Sequence, residues 1–352
     1  MTQSSTGQRR LPAEWEMNGA VLMAWPHALT DWAYMLEEVR DCFREIVKAI
    51  IPRSKVVVIA PDISEPAACF RDIPSEKIFY FQAPTNDTWT RDYGPLSVIG
   101  DGGQYFPVDF RFNGWGQKFA SNLDNMVVRS MSDTHLISLP LENRQDFVLE
   151  GGGIESNGEG IIMTTATCQL SPNRNPTLSR EEIEHYLLAV FGAKKCIWLE
   201  HGYLAGDDTD SHIDTVARFA PGNTIIFTGC EDPGDEHYEE LNLMENELKQ
   251  ARTIDGNPFN LIRLPLPDAI YDEEGNRLPA TYANFLALPG AVIMPTYGQP
   301  KKDSMALQML RIAFDIPVVA VDCKALIKQH GSLHCMTCLL YTSPSPRDIS
   351  GS

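Results

Sequence analysis

Four short segments of this 352-residue chain concentrate the side chains that could carry chemistry. They span residues 86–95, 149–155, 206–214 and 331–335. Together they supply a thiol, a histidine, an aromatic ring and several carboxylates: Cys335, His212, Trp89, Asp92, Glu150, Asp208 and Asp214. Taken singly, each segment also fits a structural role, because aspartates in Gly- and Pro-containing loops commonly cap turns. Taken together, they contain the groups that nucleophilic catalysis needs.

The combination of a thiol with many carboxylates limits the substrates that such a site could accept. Cys335 as a nucleophile needs an activating group, and His212 can provide one while a carboxylate sets its tautomer. Nearby carboxylates, however, raise the pKa of a thiol and repel the thiolate. They become useful if the substrate carries a fixed positive charge. A guanidinium is planar, always protonated and suited to bidentate pairing with carboxylates, so the residue types indicate chemistry on a guanidine.

A metal site is the alternative chemistry for the acidic segment 206–214. Four of its side chains could serve as ligands: Asp208, Asp210, His212 and Asp214. The segment lacks the central glycine and the final glutamate of a calcium-binding loop. His334 and Cys335 could likewise form half of a zinc site, but no second Cys/His pair lies at a convincing spacing. A carboxylate-metal hydrolase stays an alternative hypothesis. The preferred prediction is a site that contains no metal and no organic cofactor.

Composition and charge exclude several classes of partner. The chain has 29 Lys and Arg against 47 Asp and Glu, a net charge of −18. This balance disfavours nucleic acids and anionic membranes, because phosphate binding requires clustered cations. No apolar stretch approaches the ~18–20 residues that span a bilayer, and the polar segment 1–10 precedes no apolar run of signal-peptide type. Eight dispersed cysteines favour reduced thiols, so we predict a cytoplasmic protein.

Strand-like runs that begin with glycine recur at nearly even spacing. Five glycines, separated by 64–75 residues, begin these runs: Gly19, Gly94, Gly158, Gly222 and Gly290. Apolar periodicity predicts helices at 31–51, 179–191, 236–251 and 304–314, and strands follow them at 55–60, 195–199, 260–264 and 317–321. Five similar mixed units predict one α/β domain with repeats around a pseudo-symmetry axis.

The segment that begins at Cys338 does not resemble the end of a natural protein. Its sequence, Cys338-Leu-Leu-Tyr-Thr-Ser-Pro-Ser-Pro-Arg-Asp348, resembles the translation of a transposase-type sequencing adapter. We therefore predict a single domain at 1–337 and a non-native tail at 338–352. This interpretation also removes Cys335 and Cys338 as a redox pair, because the second thiol would not be native.

Several motifs resemble those of the agmatine deiminase family of guanidine-modifying enzymes. They cover almost all of residues 11–337 and include Leu11-Pro-Ala-Glu-Trp-Glu16, Met23-Ala-Trp-Pro26, Asn173-Arg-Asn-Pro176 and His334-Cys335, besides segments 86–95, 150–154 and 208–214. The resemblance implies the five-bladed α/β propeller of the pentein superfamily, which agrees with the five strand repeats. The sequence departs from the family after Thr337, where the family continues with a short end that contains Gln and Pro.

The resemblance also implies the catalytic roles. Cys335 would attack the guanidinium carbon and form an amidino-cysteine intermediate as ammonia leaves. His212 would protonate the departing ammonia and later activate water, and Glu150 would orient or electrostatically tune His212. Asp92 and Asp214 would hold the guanidinium nitrogens.

Substrate binding and reaction follow from the same resemblance. Trp89 would pack along the substrate, and Asp208 would help to form the pocket. The implied reaction converts agmatine, a small cationic guanidine, to N-carbamoylputrescine and ammonia without a cofactor. A homo-oligomer is compatible with the resemblance, since family members often associate.

Two other functions stay open: a peptidylarginine deiminase or other guanidine deiminase, and a non-catalytic binding protein. A peptidylarginine deiminase of the same superfamily would need an open pocket and a group that recognises the substrate backbone, and no arginine of the sequence can be assigned to recognising a carboxylate. A non-catalytic guanidine- or polyamine-binding protein would need only carboxylates and an aromatic ring. The presence of Cys335 together with His212 counts against this second alternative.

Overall fold

One three-stranded arrangement recurs five times in the structure, a computed structural model that describes residues 9–341. The strands are β1 (Ala20–Ala24), β2 (Lys55–Ala60), β3 (Ile78–Gln82), β4 (Leu96–Ile99), β5 (Tyr105–Arg111), β6 (Glu142–Val148), β7 (Glu155–Ser156), β8 (Ile161–Thr165), β9 (Lys195–Leu199), β10 (Ala217–Ala220), β11 (Thr224–Gly229), β12 (Asn260–Pro265), β13 (Leu286–Leu288), β14 (Ala291–Thr296), β15 (Val318–Asp322) and β16 (Cys338–Leu340). The helices are α1 (Leu36–Ile50), α2 (Ser64–Cys69), α3 (Thr90–Tyr93), α4 (Gly114–Gln117), α5 (Val127–Asp133), α6 (Ala166–Gln169), α7 (Arg180–Phe191), α8 (Tyr238–Gln250) and α9 (Pro300–Phe314).

Each sheet has a central strand that pairs antiparallel with one neighbour and parallel with the other. Four sheets use consecutive strands, namely β4-β5-β6, β7-β8-β9, β10-β11-β12 and β13-β14-β15, whereas the first has the order β16-β1-β2-β3. A helix lies between the central strand and its parallel neighbour in every unit: α1, α5, α7, α8 and α9. Such a crossover is required because parallel strands cannot be joined by a tight turn. The predicted fold of five repeated α/β units is confirmed.

Local sequence signals determine where the crossover helices begin and end. The Ser179 hydroxyl accepts a hydrogen bond from Glu182 N at 3.3 Å, and the Glu182 carboxylate accepts one from Ser179 N at 2.8 Å, which caps α7. The helix ends at Gly192, whose φ of 60° is a left-handed conformation that suits glycine. The helix predicted at 31–51 becomes α-helical only at Leu36. The helix predicted at 304–314 already begins at Pro300, because proline is favourable in a first turn.

The glycine repeat identifies the central strand in four units but a different strand in the second unit. The runs after Gly19, Gly158, Gly222 and Gly290 become the central strands β1, β8, β11 and β14. The run after Gly94 becomes β4, which is the outer antiparallel strand, and the equivalent central strand is β5. The assumed equivalence of Gly94 with the other four glycines is therefore wrong. Glycine before β-branched residues marks any strand start, so spacing alone does not distinguish an outer from a central strand.

The C-terminal strand completes the first sheet. β16 pairs antiparallel with β1, with Ala20 opposite Leu340 and Leu22 opposite Cys338. It takes the position that β4, β7, β10 and β13 take in the other sheets, and its three residues are buried. The folded domain thus includes residues 338–340 and does not end at 337, because β16 supplies the outer strand of the first unit. The non-native origin of the tail stays a prediction, and residues 342–352 lie outside the described residues.

Apolar side chains of the strands and crossover helices form the interior. The largest hydrophobic core combines β1, β2 and β14 with α1 and α9, through residues such as Val21, Val57, Ile293, Phe43 and Leu310. This packing fixes the strands from which the connecting turns project. All eight cysteines are free thiols. Of the helices in the described part of the chain, none combines the length and apolar character that a membrane span requires.

Candidate active site

Each of the five units contributes side chains from the turn before its outer antiparallel strand. These turns precede β4, β7, β10, β13 and β16 and carry, in that order, Asp92, Glu150, His212 with Asp214, Asn284, and Cys335. Three of them contain a single helical turn, at α3, 151–153 and 213–215. The repeated architecture therefore brings residues that are far apart in the sequence to one site.

The Cys335 thiol lies in this cluster with little access to solvent. The residue is 5% exposed, and its Sγ lies 3.4 Å from Asn284 Oδ1 and 3.8 Å from Asp214 Oδ2. Asn284 Oδ1 also accepts hydrogen bonds from the backbone N–H groups of His334 and Cys335 at 2.9 and 3.2 Å. Burial, followed by the charges of Asp214 and Asp92, raises the pKa of the Cys335 thiol well above its ordinary value. The thiol is therefore protonated at neutral pH when no cation lies beside it.

Asp92 is held by two hydrogen bonds close to the triple-glycine segment. Its Oδ2 accepts from Trp115 Nε1 at 2.8 Å, and its Oδ1 accepts from Gly152 N at 2.9 Å. A Cβ on Gly152 would lie 2.6 Å from His212 Nδ1 and 2.8 Å from Asp92 Oδ1, so only glycine fits. Burial raises the pKa of Asp92, while the charge of His212 opposes this effect. A cation placed next to Asp92 would favour its ionised form.

Asp214 has one oxygen engaged and one available. Oδ2 accepts hydrogen bonds from His334 Nδ1 at 2.7 Å and from Asn284 Nδ2 at 3.2 Å. Oδ1 is buried and has no hydrogen-bond partner among residues 9–341. Burial acts to raise the pKa of Asp214, but the hydrogen bond and charge of His334 outweigh it and lower the pKa. Asp214 therefore presents an ionised, uncommitted oxygen to the site.

His212 is fully buried between two carboxylates. Its Nδ1 lies 3.6 Å from Asp92 Oδ1, and its Nε2 lies 3.8 Å from Glu150 Oε2. Within the described part of the chain, neither ring nitrogen has a hydrogen-bond partner. Burial acts to lower the pKa of His212, but the charge of Asp92 and contacts with Cys168 and Glu150 outweigh it and raise the pKa well above 6.5. The ring is an imidazolium at neutral pH and can donate a proton.

Glu150 is fixed beside His212 by a buried arginine. Arg174 Nε donates to both carboxylate oxygens of Glu150, at 3.1 and 2.8 Å. The other guanidinium nitrogens of Arg174 donate to Asp210 Oδ2 at 2.6 Å and to the Thr209 carbonyl at 2.8 Å. Burial acts to raise the pKa of Glu150, but the charge of Arg174 and the contact with His212 lower it. Glu150 is therefore ionised and oriented.

An open pocket of about 380 Å³ reaches Cys335 and has an acidic lining. Besides Asp92, three carboxylic acids line it: Asp31, Asp87 and Asp208. Burial, with smaller contributions from neighbouring carboxylates, raises the pKa of Asp87 to about 7 and that of Asp208 to about 6. Among the described residues, no lysine or arginine lines the pocket. The pocket therefore favours cations and disfavours substrates that carry a carboxylate.

Trp89 forms an apolar wall of this pocket. It is 5% exposed and packs against Trp32, with ring centroids 5.6 Å apart. A Cβ on Gly331 would approach the Trp89 ring to 2.4 Å, so the glycine permits close packing of the turn that leads to Cys335. The wall suits an aliphatic chain between two polar ends.

Four of the seven sequence-predicted residues line this pocket: Trp89, Asp92, Asp208 and Cys335. Asp214 contacts Cys335, His212 lies beside Asp92, and Glu150 lies beside His212. Five neighbours carry no catalytic or binding role predicted from the sequence: Glu14, Trp115, Cys168, Arg174 and Asn284. For His334, the sequence suggests only half of a zinc site. Glu14, Arg174 and His334 lie inside motifs that resemble those of the agmatine deiminase family, and this position is the sequence signal that could have identified them. Asn284, Trp115 and Cys168 lie in none of these motifs, so the sequence offers no comparable signal for them. The roles of the predicted residues stay predictions.

The metal hypothesis for segment 206–214 finds no support in the geometry. Asp210 pairs with Lys118 and Arg174, each at 2.6 Å, and Asp214 pairs with His334. These two carboxylates therefore face different partners and are not grouped around one metal position. In the described region, one group of ligand-type atoms lies mutually within 4.8 Å: Glu150, Cys168 and His212. Glu150 already forms an ion pair with Arg174, and the positive charge of this arginine disfavours a metal cation at the same position.

The chain is similar to other proteins along almost its whole length. The sequence model of the Porphyromonas-type peptidyl-arginine deiminase family matches residues 10–340. A protein of Selenomonas ruminantium that carries the provisional name of agmatine deiminase is 32% identical, with 93% of this chain and 94% of that protein covered.

Two solved structures extend this similarity to three dimensions. A protein of Porphyromonas gingivalis with the provisional name of arginine deiminase is 46% identical, with a TM-score of 0.87 and coverage of 94% and 98%. A cysteine-to-serine variant of the agmatine deiminase of C. jejuni, with substrate bound, is 38% identical, with a TM-score of 0.90 and coverage of 97% and 99%.

Proposed function

The chain belongs to the Porphyromonas-type peptidyl-arginine deiminase family, and we propose that within this family it is an agmatine deiminase. The enzyme hydrolyses agmatine to N-carbamoylputrescine and ammonia. One observation carries the proposal: Asp214 Oδ1 and both ring nitrogens of His212 are buried near Cys335 without partners among residues 9–341. Buried polar atoms are normally paired, so the free Asp214 oxygen, an acceptor, fits a ligand with N–H donors such as a guanidinium. The charged His212 ring keeps its N–H groups available to donate to a leaving nitrogen.

The first half of the reaction breaks a carbon–nitrogen bond of the guanidinium. Asp92 and Asp214 hold its nitrogens and place the central carbon next to Cys335 Sγ, which supplies positional catalysis. The bound guanidinium lowers the pKa of the thiol, which releases its proton to solvent, and the thiolate attacks the carbon to give a tetrahedral adduct. The His212 imidazolium donates its proton to the leaving nitrogen, ammonia departs, and an amidino-cysteine remains.

The second half of the reaction restores the thiol. The neutral His212 accepts a proton from water, which attacks the amidino carbon and forms a second tetrahedral adduct. Collapse of this adduct breaks the carbon–sulfur bond and releases the ureido product as the hydroxyl proton passes to the sulfur. His212 keeps the proton that it took from water, so both groups return to their starting protonation states. Glu150, fixed by Arg174, stabilises the imidazolium in both halves.

The acidic pocket selects agmatine over arginine. Agmatine carries a second positive charge, on an amine separated from the guanidinium by an aliphatic chain. Trp89 packs along that chain while Asp208 and Asp87 attract the amine. Arginine and C-terminal peptidylarginine carry a carboxylate, and the lining residues of the described pocket include no lysine or arginine to receive it. A net charge of −18 also attracts a dication and repels nucleic acids and anionic membranes.

A substrate comparison tests this function. Ureido-product formation is measured with agmatine, free arginine and an internal arginine of a blocked peptide, at equal enzyme concentration. We expect turnover of agmatine and poor use of both arginine substrates. Preferential turnover of arginine would contradict the proposal in favour of the activity named for the P. gingivalis protein, whereas preferential turnover of the peptide would indicate a peptidylarginine deiminase. Agmatine binding without turnover by the parent protein would indicate a binding protein.

The two gripping aspartates give a prediction of their own. Asp92→Asn and Asp214→Asn each replace an ionised partner of the guanidinium by a neutral amide, so kcat/KM for agmatine should fall by about 10²–10³-fold. Asp109→Asn is the matched control, because Asp109 is equally buried but lies on β5 outside the pocket. Thermal unfolding should show all three variants folded. Normal turnover by either active-site variant would contradict the binding of the guanidinium by these two carboxylates.

The pocket carboxylates predict a pH dependence of KM. The pKa values of Asp87 and Asp208, about 7 and about 6, mean that both groups ionise as the pH rises from 5.5 to 8. Each ionisation adds negative charge where the agmatine amine binds, so KM should fall by roughly 3- to 10-fold over this interval. Butylguanidine, which lacks the amine, is the control substrate and should show a flatter profile. A KM for agmatine that rises with pH would contradict the assignment.

Two further proposals concern the cellular location and the oligomeric state of the enzyme. We propose a cytoplasmic location, in keeping with eight free thiols. We also propose a homo-oligomer as the functional form, which size-exclusion chromatography with light scattering tests directly.

A further inference from the structure

His334, the residue before the nucleophile, is buried between two carboxylates that lie far apart in the sequence. Its Nδ1 lies 2.7 Å from Asp214 Oδ2, and its Nε2 lies 2.6 Å from Glu14 Oε2. The residue is 1% exposed. Both ring nitrogens thus lie within hydrogen-bond distance of a carboxylate, so the ring is held at both edges.

Glu14 is held so firmly that it fixes the far side of the ring. Its Oε2 accepts from Arg91 Nη2 at 3.1 Å, and its Oε1 accepts from Arg218 Nη2 at 3.1 Å and from Ala287 N at 2.7 Å. Burial acts to raise the pKa of Glu14, but the charges of His334, Arg218 and Arg91 outweigh it and lower the pKa. Glu14 is therefore ionised and cannot rotate without losing several hydrogen bonds.

The orientation of Asp214 depends on this anchored ring. His334 Nδ1 and Asn284 Nδ2 both engage Oδ2, which turns Oδ1 into the site without a partner in the described structure. If His334 did not donate to Oδ2, the carboxylate could rotate and offer the substrate an oxygen in a different position. Glu14 also binds Arg91, the neighbour of Asp92, so one carboxylate is linked to both guanidinium-gripping segments.

We propose that His334, held between Glu14 and Asp214, is a positioning residue that orients Asp214 toward the guanidinium. The inference rests on the proposed deiminase function, because it assigns Asp214 to the substrate. His334 itself does not touch the reacting atoms: it acts through Asp214. Its contribution is to hold one oxygen at the geometry that the guanidinium nitrogens need, before the substrate arrives.

Two amide substitutions separate positioning of Asp214 from mere structural support. In His334→Asn the amide nitrogen replaces Nδ1, which faces Asp214, and the contact with Glu14 is lost. In His334→Gln the amide nitrogen replaces Nε2, which faces Glu14, and the contact with Asp214 is lost. We expect kcat/KM for agmatine to fall by less than about tenfold in the first variant and by about 100-fold in the second. Equal losses, or a more active His334→Gln, would overturn the proposal.

The reactivity of Cys335 toward two alkylating agents supplies a second readout. 2-Chloroacetamidine carries an amidinium that Asp92 and Asp214 can hold, whereas iodoacetamide is neutral. The parent protein should prefer the amidinium reagent. His334→Gln should lose much of that preference, and His334→Asn should keep it. A loss of fold or of thiol access slows both reagents alike, so an unchanged preference in His334→Gln would contradict positioning. Absence of any preference in the parent would instead contradict the guanidinium grip itself.

Discussion

Cys335→Ala is expected to abolish ureido-product formation from agmatine while agmatine still binds. The variant removes the atom that forms the covalent intermediate but retains Asp92, Asp214 and Trp89, which hold the substrate. The expected loss in kcat is at least about 10⁴-fold, because neighbouring groups cannot replace a nucleophile. Isothermal titration calorimetry with agmatine and a product assay measure the two effects separately.

The electrostatics of the thiol explain why the substrate is part of its activation. Burial, followed by the charges of Asp214 and Asp92, raises the pKa of Cys335 well above its ordinary value, so the free enzyme holds a neutral thiol at pH 7. A bound guanidinium offsets those carboxylates and lowers the pKa where attack occurs. Iodoacetamide should therefore alkylate Cys335 slowly at neutral pH and faster as the pH rises toward the raised pKa.

A second thiol, Cys196, provides the control for the loss of turnover expected in Cys335→Ala. Cys196 lies on β9 and is half-buried outside the pocket, so Cys196→Ala should retain normal turnover. If Cys335→Ala turned agmatine over at a rate close to that of the parent, a nucleophile other than Cys335 would be required. If it failed to bind agmatine, the division between gripping carboxylates and attacking sulfur would be wrong.

His212→Gln is the substitution with the second largest expected effect. It should lower kcat by about 10²–10⁴-fold, the usual contribution of a general acid–base. Burial acts to lower the pKa of His212, but the charge of Asp92 and the contacts with Cys168 and Glu150 raise it well above 6.5. The parent imidazolium is thus still protonated at pH 7 and can donate to the leaving nitrogen, whereas the glutamine amide is too weak an acid.

Single-turnover kinetics show which step depends on His212. Ammonia release in the first turnover should slow in His212→Gln, because the leaving nitrogen no longer receives a proton. In the parent, kcat should not fall between pH 5.5 and 7.5 through loss of the His212 proton, since a raised pKa keeps the ring charged over this interval. His201→Gln, at a partly exposed histidine that contacts Glu247, is the control and should behave like the parent. A normal first turnover in His212→Gln would contradict its role as the acid.

The chemical inventory of the site could be predicted from the sequence. A thiol, a histidine and carboxylates at Cys335, His212, Asp92, Asp214 and Glu150 indicate guanidine chemistry by residue type, and motifs give their positions. Local signals also determine elements whose stabilising contacts lie close in the chain. The reciprocal cap of Ser179 and Glu182 at α7 is one example, since both partners belong to the same turn.

Contacts between distant segments could not be predicted in this way. Glu14 and His334 are 320 residues apart, and neither residue type by itself indicates the pairing. Asn284 likewise gains its role only because the turn before β13 lies next to the turn before β16. Ion pairs and hydrogen bonds of this kind depend on which strands become neighbours in space, and hydrophobic packing of the whole domain decides that.

Local and tertiary information divide in the same way across the whole domain. The sequence by itself determined five strand–helix units and the reactive side chains, because β-branched runs, helical periodicity and residue chemistry are local properties. Only the tertiary structure decided that Gly94 begins an outer strand, that residues 338–340 complete the first sheet and that Glu14 supports the site. These features follow from pairing between strands and from burial of charge in a shared interior, and both exist only in the folded chain.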